Sequence, residues 1–284
     1  MLHLASGYPR AQMTGPHLSR FQGHGIEFDE VRLYQPGDEI RNMDWRVTAR
    51  TGKPHTKLFR EERERPAMVL VDFRPAMFFA TRGALKAVIA AECAALLAWS
   101  VLHQGDRVGC MILDDDGSGT AAAIRPARGK RTVMRMLGQL ACHRSWEHRP
   151  APCQESLMRV LQRSAAAAPT GSLMIMVSDG RGLDAASELM MARLLTHHTI
   201  LFVLVFDPFE KAMADVGHLY ASDGQQQCSI DTGRESTRSE HAIRFRERRE
   251  ALTRLQSHRG FILIECATDD DPFTVLKSRI GGRR

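Results

Sequence analysis

The chain is 284 residues long, 43% hydrophobic and 25% charged, a globular composition that excludes a disordered or fibrous protein. Its 39 Lys and Arg against 33 Asp and Glu leave a net charge of +6, an excess too small to point to nucleic acid. This length accommodates one large α/β domain with an appendage, or two small domains.

In chain order, Met1 to Arg10 lacks a basic start followed by an apolar core, so no secretory signal is expected. Residues 1–65 carry compact charge clusters and two short alternating stretches, Val31-Arg-Leu-Tyr34 and Lys57-Leu-Phe-Arg60. Pro36-Gly37 between them reads as a tight turn. Together they predict a small β-rich N-terminal module that ends in the charged run Glu61 to Arg65. There, Asp38 is expected to cap the turn, Arg41 and Arg50 to pair with Asp44 or Glu39, and Trp45 to pack against the main domain. One of the two arginines remains a candidate for binding a partner.

Residues 66–284 alternate between strand and helix patterns. Ala67-Met-Val-Leu-Val71 is a continuous apolar run that ends in Asp72, as a strand buried on both faces would. A long helix is predicted over Thr81 to His103; its apolar run carries Lys86 and Glu92, so it is not read as a membrane span. Strands are predicted at 107–113, 120–125, 173–178, 199–206 and 260–266, and helices at 130–143, 154–168, 184–197, 239–259 and 272–280. The strand at 120–125 reads as the return of an antiparallel hairpin through a turn at 114–119, and a polar stretch at 215–237 interrupts the alternation. The fold expected is α/β, a doubly wound, mostly parallel six-stranded sheet. In such sheets ligands bind beyond the carboxyl ends of the strands. If the strand order is 3-2-1-4-5-6, Asp72 and Asp179 face one crevice, a candidate site for a divalent cation such as Mg²⁺.

Other patterns carry less. Gly129-Lys-Arg-Thr132 lacks the upstream glycine of a phosphate loop, because Ile124 stands there, and Gly117-Ser-Gly119 lacks the third glycine of a dinucleotide site. The arginines of 244–259 are interleaved with Glu240, Glu247 and Glu250, which predicts ion pairs on a solvated helix face. Six scattered cysteines, Cys93, Cys110, Cys142, Cys153, Cys228 and Cys266, form no Cys-x-x-Cys pair and read as reduced thiols of a cytoplasmic protein. No Ser/His/Asp or Cys/His arrangement stands out, so no enzyme is expected.

Gly25-Ile-Glu-Phe28, Val31-Arg-Leu-Tyr-Gln-Pro-Gly-Asp38, Ile40-Arg-Asn-Met-Asp-Trp45 and Thr48-Ala-Arg-Thr-Gly52 together resemble the N-terminal signature of one family, domain of unknown function 58. The likeness continues through Asp72, Gln104-Gly-Asp-Arg-Val-Gly109, Pro126-Ala-Arg-Gly129, Ser178-Asp179 and Phe206-Asp-Pro208. The resemblance implies a von Willebrand factor A-like domain with a metal-ion-dependent adhesion site, and a MoxR-type AAA ATPase or its client protein as partner. Carried over, the first Asp of Asp-x-Ser-x-Ser is Asp72 and the later Asp is Asp179. Arg74 and Ala76 stand where the two serines would be, and no matching Thr is found near Gln154-Glu-Ser-Leu157. Ala76 has no donor oxygen, and a guanidinium repels a dication.

Two readings of Arg74 follow: a fixed cation beside Asp72 or Asp179, open to a partner carboxylate, or a solvent-facing side chain. The function expected is therefore a non-catalytic adaptor that binds through a degenerate adhesion site at Asp72, Arg74, Ala76 and Asp179, with Arg41 and Arg50 as further partner-binding candidates. The alternative is a metal-dependent ligand binder using Asp72 and Asp179; a hydrolase at the same crevice is the weaker one.

Overall fold

A computed structural model describes residues 26–61, 65–114, 123–147, 157–222 and 227–280. The turn expected at 114–119, the threonine sought near Gln154 and the signature glycine Gly25 lie outside those residues, apart from Asp114 itself. The described chain divides between residues 61 and 65 into two compact units.

The smaller unit pairs β1 (Ile26–Leu33) with β2 (His55–Glu61), antiparallel, with Val31 opposite Lys57. Pro36 and Gly37 fill the turn between Gln35 and Asp38: the Asp38 N–H donates to the Gln35 carbonyl at 3.0 Å, and Gly37 has φ +108°. The Asp38 carboxylate accepts from the Gln35 N–H at 2.9 Å and from Arg32 at 2.7 Å, which is the expected turn cap. A short helix joins the strands, α1 (Trp45–Thr51), so the module is not purely β. Asp44 starts it by accepting from the Arg46 and Val47 N–H groups at 3.0 Å, and Gly52 ends it in the left-handed conformation at φ +70°.

The larger unit opens with β3 (Pro66–Asp72), α2 (Lys86–His103), β4 (Arg107–Leu113), β5 (Ile124–Ala127), α3 (Lys130–Ala141) and α4 (Leu157–Ala167). It continues through β6 (Leu173–Ser178), α5 (Ala185–Leu194), β7 (Thr199–Phe206) and α6 (Pro208–Lys211). The hairpin β8 (His218–Ser222) and β9 (Gln227–Asp231) follows, then α7 (Glu235–Leu255), β10 (Phe261–Ala267) and α8 (Pro272–Ile280). The six-stranded sheet runs β10-β7-β6-β3-β4-β5, with only β5 antiparallel, which is the strand order that brings Asp72 and Asp179 to neighbouring strands.

Period-two alternation divides the core. Val69 and Val71 of β3 face one apolar layer with Ala90, Leu97 and Leu276, while Met68 and Leu70 face the other with Leu161 and Leu252. By length and mean hydropathy (1.4) α2 is apolar enough to cross a membrane; here Ala90, Ala94, Leu97 and Val101 are buried in the core. Burial pushes the free Cys110 thiol up to about 12, consistent with an inert core cysteine.

Two expectations are corrected. The helix predicted from Thr81 begins at Lys86, because Gly83 adopts φ +69° where a Cβ would stand 2.0 Å from the Thr268 carbonyl oxygen. The polar interruption contains the β8–β9 hairpin. At the far edge, Gly109 in β4 admits β5: a Cβ there would meet the Ile124 carbonyl oxygen at 2.6 Å.

Candidate functional site

Parallel strands finish on the same side of the sheet, and four of them finish in an acid. Across β4, β3, β6 and β7 these are Asp114, Asp72, Asp179 and Asp207. Asp72, Asp179 and Asp207 are at most 2% exposed. Carboxylates so far from water need donors or cations of their own, and each has a different set.

At β4, Asp114 lies 3.2 Å from His143 Nε2. At β3, Asp72 holds Arg74 in a two-pronged pair: Arg74 Nε donates to Oδ1 at 2.9 Å and Nη2 to Oδ2 at 2.6 Å. The Arg74 N–H adds a bond to Oδ1 at 3.0 Å, and Ser178 Oγ donates to Oδ2 at 2.6 Å from the neighbouring strand. Arg74 also donates to the Arg181 carbonyl at 2.9 Å, and its side chain is 15% exposed. Of the two readings of Arg74, the structure gives the fixed cation, bonded inward to Asp72.

At β6, Asp179 is served by a lysine that sequence reading did not connect to it. Lys86, the first residue of α2 and 0% exposed, donates from Nζ to Asp179 Oδ2 at 2.9 Å and to both Glu210 carboxylate oxygens at 3.2 Å. Arg181 closes the cluster: its N–H donates to Asp179 Oδ1 at 3.0 Å, its Nε lies 3.2 Å from Oδ2, and its Nη2 donates to Glu210 at 2.9 Å. Arg248 from α7 approaches Glu210 at 3.5 Å. Burial would push the Asp179 carboxyl up, yet Lys86 and Arg181 outweigh it and hold the group well below the usual carboxylate range. Burial likewise opposes ionisation of Glu210, and the attraction of Lys86 and Arg181 wins there too.

Local sequence explains how Glu210 arrives. Asp207-Pro-Phe-Glu210 is a capping box with proline at the first helical position: Asp207 accepts from the Phe209 N–H at 2.9 Å, and Glu210 accepts from the Asp207 N–H at 3.1 Å. Asp207 also anchors the loop before α2, accepting from the Thr81 N–H at 2.6 Å, and the end of β10, through Thr268 Oγ1 at 2.9 Å.

The donor set does not suit a dication. Both oxygens of Asp72 are taken up by Arg74 and Ser178, Asp179 and Glu210 share the Lys86 ammonium, and Ala76 sits in a 3-10 turn (Pro75–Met77) with no donor atom. Against the alternative reading of Asp72 and Asp179 as metal ligands stands this: neighbours they are, but three tethered cations, Arg74, Lys86 and Arg181, hold their oxygens. Among the described residues no group of three or more His, Cys, Asp or Glu is arranged to hold a metal ion.

Arg41 and Arg50 belong to the smaller unit and are exposed. The expected pairing with Asp44 or Glu39 is corrected: among the described residues no ion pair joins either arginine to them, and the Asp44 carboxylate caps α1 and lies 3.7 Å from Lys57. Within the smaller unit Trp45 belongs to α1, which has no buried residue. On α7, Arg244 pairs with Glu240 as the spacing predicts, whereas Arg249 and Arg254 reach Glu265 and Glu188 on other elements. The residues missed were Lys86, Arg181, Asp207 and Glu210. A lysine inside an otherwise apolar helix pattern was the available signal, because such a charge requires a buried counter-charge.

A family model described as "Protein of unknown function DUF58" matches residues 30–251. An uncharacterized protein of Mycobacterium bovis is 28% identical over 277 residues, covering 96% of this chain and 84% of that protein. Among solved structures, an aerotolerance-related membrane protein from Bacteroides fragilis is similar at a TM-score of 0.48 and 10% identity, over 75% of this chain and 95% of that one. A von Willebrand factor type A structure from Catenulispora acidiphila is similar at 0.41 and 12% identity, over 80% of this chain and 43% of that one.

Proposed function

The chain belongs to the DUF58 family, proteins of unknown function, and we propose that it is a non-catalytic cytoplasmic adaptor that binds another protein at the strand-end crevice. The observation that carries this reading is the commitment of Asp72, Asp179 and Glu210 to Arg74, Lys86 and Arg181. Acids held this way make poor general bases and poor metal ligands. Arg181 is 50% exposed at the side chain, Arg74 donates to its carbonyl, and we assign the solvent-accessible edge of its guanidinium to a partner. An acidic side chain of a partner can pair with that edge without a metal. The partner proposed is a MoxR-type AAA ATPase or its client.

The test is calorimetric titration of the full chain with the MoxR-type ATPase of the same cell, wild type against Arg181→Gln. Loss of one charged pair at the interface is expected to weaken binding by roughly tenfold or more, with the fold retained. Unchanged affinity in the folded variant would remove the crevice as the docking site, and a wild type that does not bind would remove the ATPase as partner.

A further inference from the structure

Lys86 is badly placed for a helix and well placed for its acids. It opens the 18-residue α2, where the helix dipole disfavours a cation, and it is completely buried. Three carboxylate oxygens from Asp179 and Glu210 surround its Nζ within 3.2 Å. Those two acids come from different elements, and with burial neither can stay ionised without a cation between them. Arg181 helps from the solvent side, at 2.9 Å from Glu210 and 3.2 Å from Asp179, but its side chain is half exposed. The Lys86 stem fills the inner approach.

We propose that the space between Asp179 and Glu210 is a cation site whose occupant is built into the chain as the Lys86 ammonium, and that shortening Lys86 to alanine opens it to a free primary alkylammonium ion. Removing Cγ, Cδ, Cε and Nζ leaves a vacancy the shape of propylammonium, lined by the same three oxygens. The tether makes the positive charge of the crevice constant, whatever free cations surround the protein. On the adaptor reading, partner binding there needs no metal; the site itself is tested without any partner, so the two ideas fail separately.

The experiment is thermal melting of the full chain. Lys86→Ala should melt roughly 10 °C below wild type. Propylammonium chloride should return most of that loss saturably, beyond the effect of sodium chloride at equal ionic strength. Wild type should be indifferent to propylammonium, Mg²⁺, Mn²⁺ and EDTA. The triple variant Lys86→Ala, Asp179→Asn, Glu210→Gln lacks the ion's partners, and propylammonium should not stabilise it. Should Lys86→Ala not fold alone, the yield of folded protein on refolding with and without propylammonium gives the same comparison. Rescue no greater than with sodium chloride, equal rescue of the triple variant, a Lys86→Ala protein as stable as wild type, or saturable stabilisation of wild type by Mn²⁺ would each overturn the proposal.

Discussion

Two neighbouring strand ends solve the same problem differently. At β3 the buried Asp72 is neutralised by Arg74, two residues along the chain, through a planar two-pronged pair whose outer side is 15% exposed. At β6 the buried Asp179 is neutralised by Lys86, whose ammonium is 0% exposed and shared with Glu210. An arginine fork saturates one carboxylate and keeps donors pointing elsewhere, here to the Arg181 carbonyl. A lysine is a compact charge with three donors, suited to sit between two acids. The β3 end is therefore a local pair between residues two apart, and the β6 end a shared network closed on its inner side by Lys86 and reaching solvent at Arg181.

That difference is breakable in order of size. Lys86→Met leaves Asp179 and Glu210 buried with Arg181 as their nearest cation and should cost about 3–5 kcal/mol in denaturant unfolding. The pH sign can be worked out. The Asp179 carboxyl is held below its ordinary 3.8, so the stability it contributes is complete above about pH 4 and is lost as pH falls through its lower folded value. Lys86→Met removes the larger of the two attractions behind that depression and leaves Arg181, so the gap between variant and wild type should narrow as the pH falls below about 4. A gap independent of pH would show that Lys86 matters for packing alone.

Arg74→Gln should cost less, about 1–3 kcal/mol, because Asp72 keeps the Ser178 hydroxyl and the residue-74 N–H. If Arg74→Gln equals or exceeds Lys86→Met, the β3 end is the closed one and the comparison is inverted. The smallest effect belongs to the other unit: Trp45→Ala, at a 65% exposed position, should change stability by no more than about 0.5 kcal/mol. A fall several times larger would restore Trp45 as a packed aromatic.

Sequence reading found what is local. The apolar run into Asp72, the donorless Ala76 and the opposed charges of Asp72 and Arg74 are visible within ten residues, and the alternation of strands and helices leads to a mostly parallel sheet. What it missed is long-range. Lys86 lies 93 residues from Asp179 and 124 from Glu210, and no spacing rule joins them. Glu210 belongs to a helix start that sequence reading did not single out, and only the three-dimensional ends of β6 and β7 turn that cap into a counter-ion. The helix boundary was missed for a similar reason: Gly83 is required by the approach of Thr268, a residue from the other end of the unit. The packing expected of Trp45 was argued from residue type; within its own unit α1 is a single short helix with no buried residue.

The tight approach of β5 at Gly109 bears on how the sheet meets other chains. A sheet edge is a row of open backbone groups that a foreign strand can extend. At this edge the strand is four residues long, runs against its neighbours and contains Pro126, which has no N–H to offer. Gly109 draws that proline in so close that a Cβ would stand 2.8 Å from its ring. The β5 margin is thus a poor template for a seventh strand and guards the apolar sheet against edge-to-edge aggregation. Among the described residues the opposite margin is β10, seven residues long, which carries no such proline.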